Sequence, residues 1–280
     1  MSTNNEFLVH VKEAKVIKHL FEALKEMLNE VNLTCSPSGI KIQSMDPSHV
    51  SLIHVNLEAR SFDKYECKKS VCLGINMSAV CKALNCAKNE DQLSIKKKEG
   101  EELITFVFKS SASETVFDLK LISIQEESLE IPETEYAATI KMNSMLFSRV
   151  CKEGLLFGES MDIKVLPRVG HFDVIGESVK SKIELRDSDL NLFCALVTSP
   201  ISQSFSLKYL TLFNKCSSVS NYVHLYFTEN SPLIVLFTTY LGTVKYYLAP
   251  KSDDQDNAME QDEQEEEVQS TKKEDTDIEM

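Results

Sequence analysis

The side chains able to do proton-transfer or covalent chemistry are few and poorly arranged for it. Asp46 and His49 stand three residues apart in "SMDPSH" at 44–49, the spacing of a carboxylate beside an imidazole, and Cys67 or Cys72 is the thiol such a pair could activate. The eight cysteines, at 35, 67, 72, 81, 86, 151, 194 and 216, contain no CxxC, and no Cys/His group has zinc-ligand spacing. GxGxxG, GxxxxGK[ST], GxSxG and HExxH are all missing, and 8 glycines leave little for phosphate-cradling loops. The Asp46–His49 neighbourhood therefore reads as chance. No catalytic residue, metal ligand or cofactor is assigned, and the cysteines read as small apolar side chains in a reducing compartment. No apolar run is long enough to span a bilayer, and no membrane partner is expected.

The basic residues form a second pattern. The net charge of −13 is concentrated at one end: thirteen carboxylates and two lysines from Ser252 onward contribute −11, leaving −2 for residues 1–251. A nearly neutral body can still gather its lysines on one face. Lys15, Lys18 and Lys25, Lys82 and Lys88, Arg149 and Lys152, and Lys208 and Lys215 recur on the polar sides of four candidate helices. A single such face is ordinarily just solvated. Four in matching phase fit a sequence-blind attraction to phosphates, without the interleaved aromatics that stack bases or the Asn, Gln and Arg of a groove-reading helix.

These helices belong to a repeat of about 65 residues. Strands "FLVHV" at 7, "CLGIN" at 72, "ATIKM" at 138 and "SFSLK" at 204 each run into a helix with a polar–apolar–apolar–polar core. The cores are His19–Glu22, Lys82–Asn85, Arg149–Lys152 and Thr211–Asn214, at spacings of 63, 67 and 62 residues. Val16, Ile17, Leu20, Phe21, Leu24, Leu28 and Val31 make an apolar stripe at helical period, which must pack on a sheet. "TCSPSGIKIQSM" and "KVLPRVGHFDVI" each carry a Gly-containing turn followed by alternation, the sign of half-buried antiparallel strands. The expected class is α+β, with two similar domains of two βαβββ units each. The expected division is 1–118, a connector at 119–136, 137–251, and a disordered acidic tail at 252–280. The connector "QEESLEIPETEY" at 125–136 is acidic yet keeps Leu129, Ile131 and Tyr136.

The stretches "IKIQSMDPSHVSL" at 40–52, "CAKNED" at 86–91 and "VKYYLAPK" at 244–251 resemble the proliferating cell nuclear antigen family, the eukaryotic sliding clamps. "FEALKEMLNE" at 21–30 and "SLEIPETEY" at 128–136 resemble it too, and the likeness runs from about Phe7 to Lys251. The resemblance implies a DNA clamp, or processivity fold, in which helices line a ring and antiparallel sheets form its outside. Three subunits would close head to tail around double-stranded DNA, the strand near Glu114–Lys120 of one meeting that near Ser178–Leu185 of the next. DNA contact would fall to Lys18, His19, Lys25, Lys82, Arg149, Lys152, Lys208 and Lys215; His19 and Asn85 stand where lysine is frequent in the family. Partner peptides would enter a groove formed by Met45, His49, Val50, Leu52, Leu129, Ile131, Tyr136, Pro232, Tyr247, Ala249 and Pro250, with Glu126, Glu127, Glu130 and Glu133 attracting basic flanks. Implied partners are the replicative DNA polymerase, clamp loader, flap endonuclease, DNA ligase and other PIP-box proteins, met in the nucleus.

Three departures stand out. Pro167 occupies the position of the family's modified lysine, which excludes conjugation there. Leu236 replaces a customary acidic residue, and the acidic tail is much longer than the family's. The alternative reading is one subunit of a heterotrimeric DNA-damage checkpoint clamp, with the same fold and unlike neighbours; an enzyme is the reading that the missing motifs oppose.

Overall fold

The computed structural model describes residues 5–125, 135–187 and 193–251. The expected repeat is present four times. The first unit is β1 (Asn5–Val11), α1 (Ala14–Lys25), β2 (Glu30–Ser36), β3 (Gly39–Met45) and β4 (Ser51–Glu58), followed by a short extra strand, β5 (Lys64–Cys67). The second is β6 (Val71–Asn76), α2 (Met77–Asn85), β7 (Gln92–Lys98), β8 (Leu103–Lys109) and β9 (Glu114–Lys120). The third is β10 (Ala138–Asn143), α3 (Ser144–Leu155), β11 (Ser160–Leu166), β12 (Val169–Ile175) and β13 (Lys180–Arg186), again with an extra strand, β14 (Phe193–Val197). The fourth is β15 (Ile201–Ser206), α4 (Leu207–Phe213), β16 (Tyr222–Phe227), β17 (Leu233–Thr238) and β18 (Gly242–Leu248).

Paired units exchange their opening strands. β1 lies against β7 of the second unit, and β6 against β2 of the first. β10 and β15 do the same with β16 and β11. Neither unit of a pair can complete its sheet alone. Three antiparallel sheets result, in the orders β5-β1-β7-β8-β9, β14-β10-β16-β17-β18-β4-β3-β2-β6 and β13-β12-β11-β15.

The nine-stranded sheet crosses from one half of the chain to the other through β4 and β18, paired from Gly242↔Leu57 to Leu248↔Ser51. Gly242 at this seam has φ +153°, and a Cβ there would lie 2.0 Å from the Asn56 carbonyl oxygen. Period-2 alternation sends Ile53, Val55, Leu57, Val244, Tyr246 and Leu248 into the core. Tyr246 stacks on Phe213 of α4, with centroids 4.3 Å apart. The helices therefore cover one face of this sheet, and among the described residues no helix covers the other.

Two helices begin at matching asparagines. Asn76 accepts from Ala79 N at 3.0 Å, and Asn143 from Met145 N at 2.9 Å and Leu146 N at 3.2 Å. The stripe read from Val16 to Val31 outruns its helix. α1 closes at Lys25, Leu28 lies in the turn and Val31 in β2, both still buried, because the chain must reverse there for β2 to meet β6. α4 is likewise shorter than its pattern: from Asn214 to Ser218 the backbone tightens to a 3-10 turn.

Gly242→Ala is expected to lower unfolding stability by about 2 kcal/mol or more, since it adds a left-handed side chain and a clash with backbone. Guanidinium melts at matched protein concentration measure it.

Candidate nucleic-acid and peptide interfaces

The helical face is built from pairs. α1 packs on α2 and α3 on α4, while the 3-10 turn at Asn214–Ser218 touches both α1 and α3 and so spans the two halves. Buried Ile17, Leu20, Leu24, Val80, Leu84, Phe147, Val150 and Leu210 point to the sheets. The opposite sides carry the predicted cations. Lys25, Lys82, Arg149, Lys152, Lys208 and Lys215 are exposed, and Lys18 and His19 half-buried. Lys215 is on the 3-10 turn rather than on α4, whose last residue is Phe213. Arg149 reaches Glu153 at 3.6 Å, an i,i+4 pair on an exposed face. Lys18, Lys25, Lys82, Lys152, Lys208 and Lys215 have no ion pair among the described residues, so their charge is available to solvent and ligand.

The outer face of the nine-stranded sheet is read from its register. Met45 lies opposite Leu52, Leu52 opposite Tyr247, Tyr247 opposite Ile234, and Ile234 opposite Tyr226. This half-buried apolar row crosses the seam between the halves. Tyr136 packs against its far end, its ring tilted by 40° and 4.6 Å from that of Tyr226 by centroids. One same-face step along the strands come Val50 and Ala249, joined by Ala249 N donating to Val50 O at 3.2 Å, and Pro232 at the head of β17. The register thus brings Met45, Val50, Leu52, Pro232, Tyr247 and Ala249 onto one surface with Tyr136 beside it. Pro250 follows at the end of β18, half-buried. Leu129 and Ile131 lie outside the described residues, as do Glu126, Glu127, Glu130 and Glu133.

The connector's two described ends are tied down. Ile122 N donates to Gly74 O at 2.9 Å and Asn32 Nδ2 to Ile124 O at 3.3 Å. At the far end Thr228 Oγ1 donates to Glu135 O at 3.3 Å and Ala137 N to Phe227 O at 2.8 Å. Between Ile124, Gln125 and the sheet lies a cleft of about 780 Å³, lined by Met45 and His49 and also by Leu28, Asn29, Glu30, Asn32, Lys41, Gln43 and His54. Sequence reading missed this polar cleft. Only strand register places β2 and β3 beside residues distant in the chain.

Asp46 has a structural task. It is 5% exposed. Oδ1 accepts from Val50 N at 2.9 Å and Ser51 N at 2.6 Å, and Oδ2 from Ser48 N and Tyr209 Oη, both at 2.9 Å. The first three bonds fix the turn that carries His49 at φ 56°; the fourth ties this turn to α4 in the other half of the chain. Burial would push the carboxyl up, but Ser51, Tyr209, Ser48 and Val50 together outweigh it and hold the pKa below its ordinary value. The Asp-Pro-Ser sequence is the signal that marks such a turn. His49 is exposed and only its backbone N–H reaches Asp46, at the carbonyl oxygen, 2.9 Å away. Cys67 is buried with its thiol pushed up by burial. These residues form no nucleophile–base pair. Among the described residues no cluster of three His, Cys, Asp or Glu side chains could hold a metal ion, and no helix is long and apolar enough to cross a membrane.

A duplicated βαβββ chain with a cationic helical face on one side and an apolar row on the other has the design of a DNA sliding clamp, a ring-type processivity factor. The comparisons agree. The N-terminal domain of proliferating cell nuclear antigen matches residues 7–129 and its C-terminal domain residues 130–251. A proliferating cell nuclear antigen of Chaetomium thermophilum is 35% identical over 254 residues, covering 87% of this chain and 97% of the relative. Proliferating cell nuclear antigen 2 of Drosophila melanogaster is 33% identical over 249 residues, covering 88% and 98%. The chain belongs to the proliferating cell nuclear antigen family, clamps that bind DNA and partner proteins in replication. These matches do not favour the checkpoint-clamp alternative.

Asp46→Asn is expected to cost about 2–3 kcal/mol near neutral pH, because an amide cannot accept four donors. A carboxyl held below its unfolded pKa, about 3.9, stabilises above that value and loses this contribution as pH falls through the folded pKa. The gap in melting temperature between wild type and Asp46→Asn should therefore be full at about pH 6 and shrink on acidification below about pH 4.

Proposed function

We propose that three copies of this chain close into a ring around duplex DNA, with residues 1–118 and 137–251 as its repeating domains, 119–136 as the connector and 252–280 as a disordered acidic tail. The observation that carries this reading is the set of cations with no ion-pair partner among the described residues, Lys18, Lys25, Lys82, Lys152, Lys208 and Lys215, on helices and a turn that share one side of the molecule. With Arg149 and His19 they supply diffuse, salt-screened attraction to phosphates and no base-specific contact. Enclosure holds the duplex, so weak and evenly spread contacts leave no deep minimum and the ring slides. A polymerase tethered to it gains effective concentration at the primer end.

Two open strand edges support head-to-tail closure. β9 ends the five-stranded sheet and β13 the four-stranded sheet. Val116 on β9 is 51% exposed, and Ile175 and Val179 beside β13 are 63% and 45% exposed. Phe157, whose backbone lies against Gly176, is a further exposed apolar residue near β13. Pairing β9 of one chain with β13 of the next satisfies both edges and covers these apolar residues.

On the outer face, the groove floored by Met45, Val50, Leu52 and Tyr247, flanked by His49, Pro232, Ala249 and Pro250 and walled by Leu129, Ile131 and Tyr136, receives apolar and aromatic residues of PIP-box partners. The polymerase, clamp loader, flap endonuclease and DNA ligase of the nucleus are the partners expected. A flexible methionine and a dry floor suit many related peptides.

Reversing Lys25, Lys82 and Lys152 to Glu is expected to reduce polymerase stimulation on primed DNA by an order of magnitude or so at physiological salt. Light scattering should still give three copies of 31.7 kDa. Unchanged stimulation removes the DNA-facing role. Leu129→Ala with Ile131→Ala should weaken PIP-box peptide binding about tenfold or more by calorimetry, with the thermal melt unchanged; equal affinity makes them only a strap over the core.

A further inference from the structure

One same-face step from the apolar row, the outer surface of the nine-stranded sheet changes character. Gln43, His54, Lys245, Leu236 and His224 stand side by side across five strands, and Lys141 continues the row on β10. Lys41, one step further along β3, lines the same cleft as His54. Among the described residues neither Lys41 nor Lys245 is ion-paired. The β17 position opposite Lys245 is Leu236, which offers no carboxylate. His224 Nδ1 is buried and has no hydrogen-bond partner among the described residues.

The neighbouring charges have one sign. Burial first, then Lys245 and Lys41, hold the His54 imidazole below its ordinary pKa, and burial with Lys141 does the same for His224. Of the carboxylates near the cleft, Glu30 is exposed on β2, and Asp46 has its oxygens filled by four donors. Among the described residues the row is a strip of positive potential, half-buried at His54, Lys245 and His224, with no counter-charge of its own.

We propose that Lys245, His54 and Lys41 form a subsite for a carboxylate side chain, an aspartate or glutamate of the partner peptide held in the groove. The inference rests on the groove reading given above. The strip lies about 7 Å from the Met45–Leu52–Tyr247 row, two residues along each strand, which is within reach of a residue next to an apolar anchor. Anchoring matters because two lysines facing water hold a free anion weakly. A carboxylate seated there neutralises the lysines and favours the protonated imidazole, so binding takes up a proton at His54. Acidification then strengthens binding as long as the ligand carboxylate stays ionised. Glu30 and His49 also line the cleft, so a His54→Gln control isolates the contribution of this imidazole.

The test uses the full-length protein and synthetic peptides sharing one apolar–aromatic anchor. A single Glu is moved through the flanking positions, each peptide having a Gln twin, and binding is read by fluorescence anisotropy at physiological salt. At one position Glu is expected to bind about five-fold tighter than Gln at about pH 7.5, with a larger ratio at about pH 6. The ratio should fall to about one in Lys245→Gln and lose its pH dependence in His54→Gln, with the Gln twin's affinity unchanged. Equal affinities at every position, or an advantage that survives in both variants, overturn the subsite alone. Failure of both twins to bind overturns the groove reading and the subsite with it. A Glu advantage that emerges only when the acidic residues beyond Lys251 are changed to amides assigns the strip to the chain's own tail and overturns a partner's carboxylate as its occupant.

Discussion

Backbone pairing between β4 and β18 turns two duplicated halves into one surface. Seven residues on each side, from Gly242↔Leu57 to Leu248↔Ser51, continue the ladder across the point where the halves meet. Because side chains alternate along each strand, this single register decides what faces inward and what faces out on both sides of the seam. A slip of one residue would bury His54 and Lys245 and expose Ile53 and Tyr246. The apolar row from Met45 to Tyr226 and the stack of Tyr246 on Phe213 are two results of the same alignment.

The seam is reinforced away from the sheet by the bond from Tyr209 to Asp46. This carboxylate anchors the turn at 46–51 through three backbone N–H groups and also holds α4 of the other half. The two faces make opposite demands. In the proposed clamp the helical face works through exposed charge with loose geometry, which tolerates the half-buried His19 and the paired Arg149. The outer face needs fixed apolar positions, and those sit on strands rather than on the connector alone.

The repeat was legible because strand-to-helix transitions and polar–apolar–apolar–polar cores recur at nearly constant spacing; α+β class and the four helices followed. The exchange of opening strands between units was not, since β1 has no sequence feature that prefers β7 over β2. Helix ends were misjudged at Leu28 and Asn214, where buried side chains continue the apolar pattern after the backbone has turned. The family likeness pointed to Met45, Leu52 and Tyr247, but not to their register neighbours Ile234 and Tyr226, which contact them only through sheet order. Asp46 beside His49 read as a chance neighbourhood, but its structural task was hidden, because sequence shows proximity and not the four donors that occupy the carboxylate.

β9 and β13 leave one donor-and-acceptor row free at each of two different sheets of the same chain. Edges that are complementary rather than identical give assembly a polarity, and polar assembly ends in a closed loop only if each added copy turns by the right fraction of a circle. A substitution that slightly changed the angle between the halves would leave both edges intact and reactive. In the proposed β9-to-β13 closure, its product would be an open spiral that grows without limit.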